Sequence, residues 1–513
     1  MSSISNKLLD KKTEIVFFSA TAIALYGYDQ GMMSLINTNY DYLRTMGISG
    51  ESPLVGIIVS VYYLGCAVGA IMFSVLADKT GRRPSIFACL AVSALGNLLM
   101  FISGLGYSRG AMTMMFLGRI VMGLGVGGVD SVIPTYSSEL TSDGGRGEAM
   151  AKEFQSNIFG LNMAFGINLG VTQALGKNNE WAWRIPIIAM QCYPVLLLSI
   201  IQRLPESPRW LIFHERKDDA KESLARIYGE EETPSKYEEL EKAHEEESSH
   251  EIGWNDMIWP GSAQWHQTSV TIMGQVNQAL TGYGAVSVYG PQIFELLGLG
   301  VTESEHLTQG NYISYFFLMT FAWLLIDRVG RRTTMIAGAF GIAGCFLLLT
   351  IFGGLAQNCD KLGIPDKPIA IVGSIFLFIA TGTFGVGWLT QPWLIPTEIY
   401  PVTSRAQGAA ISVIIWGIAN FVVTLITPIL FNTLSFWLFL IFAVTNTFAA
   451  WWTFVYSPET GGRSFEENQQ FFEDAAKEKT WSVLKVDDAS YRYMPRENEK
   501  GQDGENQPLL GGS

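Results

Sequence analysis

The sequence is cut into apolar stretches of the length a helix needs to cross a hydrocarbon core of ~30 Å at 1.5 Å per residue. Twelve of them lie at roughly 14–36, 53–77, 84–104, 110–138, 149–174, 182–203, 268–293, 306–326, 333–355, 368–396, 407–432 and 434–456 of the 513 residues. A lipid-facing backbone must satisfy its own polar groups, and no stretch alternates as a barrel strand does, so twelve helices are predicted. Composition agrees. Charged residues are 16% and hydrophobic residues 48% of the chain, against about 25% charged in soluble proteins. The net charge, 34 − 47 = −13, speaks against a nucleic-acid partner. The first stretch is too long for a signal peptide's apolar region and lacks a small-residue cleavage pattern, so it is expected to stay as a helix. Cys66, Cys89, Cys192 and Cys345 sit in apolar runs and Cys359 in a polar loop, which points to no metal, cofactor or disulfide framework.

Short basic loops set the orientation. DKTGRR (78–83) follows the second span and DRVGRR (327–332) the eighth, so both face the cytoplasm, as do the N-terminus, the central loop and the tail. The expected organisation is a cytoplasmic N-terminus (1–13), a six-helix bundle (14–203), a central loop (204–266), a second six-helix bundle (267–456) and an acidic cytoplasmic tail (457–513). The spacing of Leu224, Ile227 and Tyr228 predicts short amphipathic helices in the central loop. In the tail, Glu505 precedes Leu509 and Leu510 in the manner of an acidic dileucine signal, a pattern that also arises by chance.

The two halves repeat. Glu139 precedes Arg146 by seven residues and Glu398 precedes Arg405 by seven, within PTYSSELTSDGGRG and PTEIYPVTSRAQG. PESPRW follows the sixth span and SPETGGRS the twelfth. A duplicated six-helix unit is the simplest source of such matching, and paired bundles of this kind enclose a site at the membrane midplane.

These motifs, together with GRIVMGLGVGG, closely resemble the sugar porter family of the major facilitator superfamily in its fungal form, from about Tyr26 to Glu467. The resemblance implies an all-α membrane protein with the major facilitator fold, twelve transmembrane helices in two bundles. It implies a monomeric carrier, not an enzyme, that moves a monosaccharide or small polyol through the lipid bilayer by alternating access with a proton. A passive facilitator of the same fold and a sugar receptor signalling through its tail are the alternatives. The plasma membrane is the expected address, with an endosomal or vacuolar membrane as the other.

Arginine forks bind carboxylates bidentately, and charges of matching sign favour helix ends. By the resemblance, Asp78, Arg82, Arg83, Glu139 and Arg146 form one cytoplasmic gate cluster and Asp327, Arg331, Arg332, Glu398 and Arg405 the other. The alternative is that these arginines only set topology. Asp29 in the first span and Arg119 in the fourth are intramembrane charges that cost at least ~2.5–3.5 kcal/mol when unpaired, so each is best explained by the other or by a wet cavity. The resemblance associates the two with proton coupling. Asp130 lies eleven residues after Arg119, hence on the same face and about 16 Å deeper, where it is a second protonation site, a ligand contact or a partner of another donor.

For the substrate, the resemblance points to Gln278 and Tyr289 in the seventh span, Trp393 in the tenth, Trp416 and Asn420 in the eleventh, and Gln155 in the fifth. Rings stack on the C–H face of a sugar while amides and hydroxyls take its OH groups. The sequence departs from the pattern at Ala279, Gly284 and Val288, where a glutamine, an asparagine and a tyrosine are usual. Asn277 and Tyr283 are the residues placed to compensate.

Overall fold

The computed structural model describes residues 11–483, except 51, 107–109, 141–145, 249–252, 263, 364, 402–403, 464 and 478–479. Among the described residues every regular element is a helix. Ten stretches are long and apolar enough to cross a bilayer, from Pro53–Thr80 to Trp437–Tyr456. The other two expected spans differ for physical reasons. The first, Lys11–Ile36, carries Asp29, Gln30 and Ser34 among its apolar residues. The seventh is broken into Trp265–Leu280, Tyr283–Val288 and Gly290–Leu296.

The first break in the seventh span falls at Gly282, whose φ is +85°, and a Cβ there would lie 2.7 Å from the Phe442 ring. Only glycine takes that backbone conformation at so little cost. The tenth span is also irregular, passing through a π-helical turn at Gly385–Leu389 before resuming as Gln391–Ile399. Discontinuous helices of this kind flank the central site of secondary transporters.

Within the first six spans the main helix pairs are the second with the fourth, the first with the fifth and the third with the fourth. In the last six, the ninth span packs on the tenth and twelfth and the seventh on the eleventh. The halves meet along the second and eleventh spans and along the fifth and eighth. Exposed apolar side chains fall where lipid would lie. In the second span Leu64, Val68, Ile71, Met72 and Val75 form such a stripe at helical spacing.

Beneath the bundles, helix Lys217–Tyr228 buries Leu224 and Ile227. The tail contributes helix Phe465–Lys477, whose Phe471, Phe472 and Ala475 join the core of the second bundle. Gln469 Nε2 donates to the carbonyl of Ile399, at the end of the tenth span, at 2.6 Å. Glu505, Leu509 and Leu510 lie outside the described residues.

The second and fourth spans approach so closely that a Cβ on Gly127 would stand 2.0 Å from the carbonyl oxygen of Cys66. Because that neighbour is backbone, it cannot swing away. Gly127→Val should therefore destabilise the first bundle by about 1–3 kcal/mol or more, the range for overpacking a close contact. Thermal unfolding of the detergent-purified variant followed by gel filtration measures this, and an unchanged midpoint would contradict the packing described.

Candidate functional site

The charged pair lies dry among the first, second and fourth spans. Arg119 Nη1 donates to Asp29 Oδ1 at 2.5 Å, and both side chains are 2% exposed. The guanidinium spends its other donors on the second span, Nη2 on the Val59 carbonyl at 3.1 Å and Nε on that of Ile58 at 3.3 Å. It also lies 4.6 Å from the centre of the Tyr62 ring. A planar fork suits this position because it meets several acceptors at once and adds a cation–π contact.

Aromatic rings lead from that pair to the junction of the bundles. Tyr62 contacts Tyr63 at 5.3 Å between centroids, and Tyr63 meets Trp416 edge-on at 5.2 Å. Tyr26, one helical turn before Asp29, meets the other side of Trp416 at 5.2 Å. Trp393 stands 5.8 Å from Trp416 and 5.7 Å from Phe154 of the fifth span. Five rings from both halves thus form one contiguous cluster centred on Trp416. Sequence reasoning named Trp393 and Trp416 and missed Tyr26, Tyr63 and Phe154, which sit in apolar runs without a motif; the turn between Tyr26 and Asp29 is the signal that was present.

The polar residues expected at the substrate are engaged mostly with backbone. Gln278 Nε2 donates to the carbonyls of Trp388 at 2.7 Å and Leu389 at 3.0 Å, which belong to the π-helical turn of the tenth span. Tyr289 donates its hydroxyl to the Thr424 carbonyl at 3.2 Å. Asn420 Nδ2 donates to the Trp416 carbonyl one turn earlier at 2.9 Å. Gln155 reaches across the halves instead of into the ring cluster, donating to the Phe316 carbonyl at 2.9 Å and to Thr320 Oγ1 at 3.2 Å. Conversely, Asn277 is 1% exposed and neither of its amide atoms has a partner, and the hydroxyls of Tyr283 and Thr424 are also unpartnered.

Gln155 belongs to a seam between the fifth and eighth spans. Along it Asn162 donates to the Tyr312 carbonyl at 2.8 Å, Gln309 donates to Asn162 at 3.1 Å, and Gln173 bonds His306 at 2.8 Å. Its outer end carries a Lys177–Glu305 ion pair. At its inner end the backbone N–H of Glu148 donates to Asp327 Oδ2 at 3.0 Å.

The two clusters of arginines and carboxylates are near copies of each other. Arg82 bridges Asp78 at 2.7 Å and Glu139 at 3.2 Å; Arg331 bridges Asp327 at 2.8 Å and Glu398 at 2.7 Å. Arg83 and Arg332 instead donate to the carbonyls of Gln202 and Phe454 at 2.5 and 2.6 Å, joining adjacent helix ends. Arg405 heads the eleventh span, and the side chain of Arg146 lies outside the described residues. Two carboxylates absent from the sequence-based site complete the clusters. Glu206 accepts the backbone N–H groups of Arg82 and Arg83 at 3.0 and 3.1 Å, and Glu459 those of Arg331 and Arg332 at 2.8 and 3.1 Å. Each caps the N-terminus of a span, where unsatisfied N–H groups and the dipole favour an anion. The repeated PESPRW and SPETGGRS motifs were the signal for them.

Two matched bundles of membrane-spanning helices joined at a shared aromatic cluster, with a buried charged pair beside it, make a membrane transporter and not an enzyme. Residues 15–472 match the sugar (and other) transporter family, and the chain belongs to that family of multi-pass membrane proteins. It is 30% identical over 500 residues to the MFS-type transporter oryC of Aspergillus oryzae, covering 94% of this chain and 89% of that one. It is 28% identical over 485 residues to the sugar transporter STL1 of Saccharomyces cerevisiae, covering 91% and 83%. In structure it is similar to the proton:xylose symporter XylE bound to 6-bromo-6-deoxy-D-glucose, with a TM-score of 0.74 and 22% identity over 89% of this chain and 98% of that one.

Burial holds the Glu206 and Glu459 carboxyls above their ordinary value of 4.5, against the backbone N–H groups that pull them down. A carboxyl raised on folding contributes stability that is full below its unfolded value and is lost as pH climbs through the folded one. Glu206→Gln and Glu459→Gln should therefore gain on the parent in thermal stability as pH is raised from 4.5 towards about 8. A relative loss over the same interval, read from unfolding midpoints, would contradict the burial-dominated balance.

Proposed function

We propose that the chain carries a monosaccharide or small polyol across the plasma membrane by alternating access, as a monomer and in symport with a proton. The observation that supports this best is the dry Asp29–Arg119 pair, linked by Tyr62 and Tyr63 to the ring of Trp416. A carboxylate paired with a guanidinium exchanges that pairing for a proton when water enters its site. When Asp29 takes the proton, Arg119 keeps the Ile58 and Val59 carbonyls as acceptors, so the cation is not stranded. Solute against Trp416 and Trp393 would shift the rings that touch Tyr63 and Tyr26, and so report occupancy to the pair.

Sugar hydroxyls would take the groups left without partners, the Asn277 amide and the Tyr283 and Thr424 hydroxyls, while the tryptophan rings cover an apolar face of the solute. Gln278, Tyr289 and Asn420 would contribute by exchanging a backbone acceptor for a solute hydroxyl. The cytoplasmic clusters, with Glu206 and Glu459, would hold the inner ends of the spans together while that side is shut, and the bond from Glu148 to Asp327 would be among those broken when it opens.

One observation favours a second reading. Arg119 is held by Asp29 and two carbonyls, one bond from each of its three nitrogens, as in a permanent structural pair, and a passive facilitator would need no more. Accumulation separates the readings. In a transporter-null host offered glycerol, D-xylose, D-glucose or sorbitol at acid and neutral pH, the parent should concentrate at least one solute, more strongly at acid pH and not with a protonophore. Asp29→Asn should still equilibrate that solute without concentrating it. Equal accumulation by both would reject Asp29 as the coupling group, and equilibration alone by the parent would favour facilitation.

A further inference from the structure

Once Asp29 is paired with Arg119, a carboxyl on the same helix face as Arg119 has no cation. Asp130 is 9% exposed, and its Oδ2 has no hydrogen-bond partner. Among the described residues no opposite charge or hydrogen bond offsets its burial. A lone carboxylate inside a bundle is worth several kcal/mol less than a neutral or hydrated one. The charged form therefore requires water, and the dry form requires a proton.

The surroundings suit the exchange. The titratable groups within electrostatic reach of Asp130 are Tyr26 of the first span, Tyr62 and Cys66 of the second and Cys89 of the third. None is a cation. On its own helix the nearest charged residues are Glu139, nine residues on, and Arg119, eleven back, and the eleventh span carries a titratable group only at its cytoplasmic start, Arg405. The Tyr26 hydroxyl accepts from Gln30 Nε2 at 2.7 Å, which leaves its own proton to donate, and its ring touches Trp416. Seven residues further along the same face, Ser137 donates to Glu153 Oε1 of the fifth span at 3.3 Å. Successive carboxyls thus stand at Asp29, Asp130 and Glu153, with Asp130 about 16 Å and Ser137 about 27 Å along the fourth helix from Arg119.

We propose that Asp130 is a proton-binding site on the cytoplasmic side of the Asp29–Arg119 pair, through which the coupled proton leaves. The inference rests on the symport reading for its role, though not for its existence. In the step, the O–H bond of the Asp29 carboxylic acid breaks and water carries the proton. An O–H bond then forms on the Asp130 carboxylate, and Asp29 returns to Arg119 as an anion. Asp130 gives the proton to cytoplasmic water when the inner side opens. No electrons are transferred; Asp29 goes from neutral to anionic and Asp130 from anionic to neutral, so the total charge is conserved.

The test uses the full chain in liposomes. Infrared spectra recorded while pH is stepped from acid to alkaline should contain a protonated-carboxyl carbonyl band that fades as pH rises. Asp130→Asn should remove that band, Asp29→Asn should keep it, and Asp130→Glu should shift it, which covers the case of an asparagine variant that does not fold. Spectra of Asp130→Asn and Asp130→Glu that superimpose on the parent at every pH would overturn the site. This reading needs no solute, so it stands apart from the symport question. That question is answered by glycerol, D-xylose and D-glucose with a pH dye trapped inside. Where one of them drives proton entry, Asp130→Asn should slow protons more than solute and Asp130→Glu should restore them. Equal slowing of both, or of neither, would overturn the exit role. No proton entry with any solute in the parent would reject symport and with it the exit role, and the band would still decide the site.

Discussion

A guanidinium in the middle of a helix bundle has five N–H donors shielded from solvent, and the geometry around Arg119 follows from that need. Asp29 answers the charge, and the carbonyls of Ile58 and Val59 accept two further N–H groups. Breaking such a group by removing one partner costs about 3–5 kcal/mol, because a buried charge is then left alone. The first, second and fourth spans are therefore fixed to one another at the height of Tyr62, and through Tyr62 and Tyr63 the same point is tied to Trp416 of the other half. Any movement of the bundles that displaces Trp416 is felt where the charge is held. Coupling by this route needs only ring contacts that have two arrangements.

At one end of the bundles the same chemistry is used twice, with unequal surroundings. Each arginine of the leading pair binds two carboxylates, and each helix N-terminus receives a glutamate, half-buried at Glu206 and buried at Glu459. Yet the Asp78 side chain is 59% exposed and that of Asp327 only 22%. The difference matters because an exposed ion pair is worth ~1 kcal/mol or less, so the second cluster, which also binds the Glu148 backbone, is the firmer of the two. A duplicated sequence has become a pair of ion-pair clusters of different strength; if they act as the proposed gate, the first would loosen before the second.

Much of the fold was legible because a bilayer leaves few choices: length and apolarity determine spans with little help from tertiary structure. The Glu139–Arg146 and Glu398–Arg405 spacings made the repeat visible for the same reason. What stayed hidden depends on which helices cross. Gln155 and Gln278 are both amides on polar stripes, and nothing local distinguishes one that meets the eighth span from one that meets an irregular turn in the tenth. The π-helical turn at Gly385–Leu389 has no period of its own to read, and the helix break at Gly282 becomes visible only with the Phe442 ring placed against it. The opposed pull of burial and backbone N–H groups on Glu206 is likewise a property of the assembled helix ends.

The departures from the family pattern in the seventh span acquire a reason at Gly284. A Cβ at that position would stand 3.0 Å from Asn420 Oδ1, closer than side chains ordinarily tolerate, so an asparagine at 284 and the present rotamer of Asn420 compete for one volume. With glycine there, the carbonyl end of the Asn420 amide occupies the space beside the seventh span while its NH₂ is held by Trp416. A polar group is thereby kept at the site but supplied from the eleventh span, on the same turn as the tryptophan that closes the ring cluster. If the proposed solute site lies at these rings, selectivity would depend on the shape presented by Tyr26, Tyr63, Trp393 and Trp416 more than on a row of amides. Shape of this kind excludes bulk strongly, while a missing hydroxyl is penalised only where a buried polar group is left unpaired. Asn277, with both amide atoms unsatisfied, is the place where that penalty would be largest.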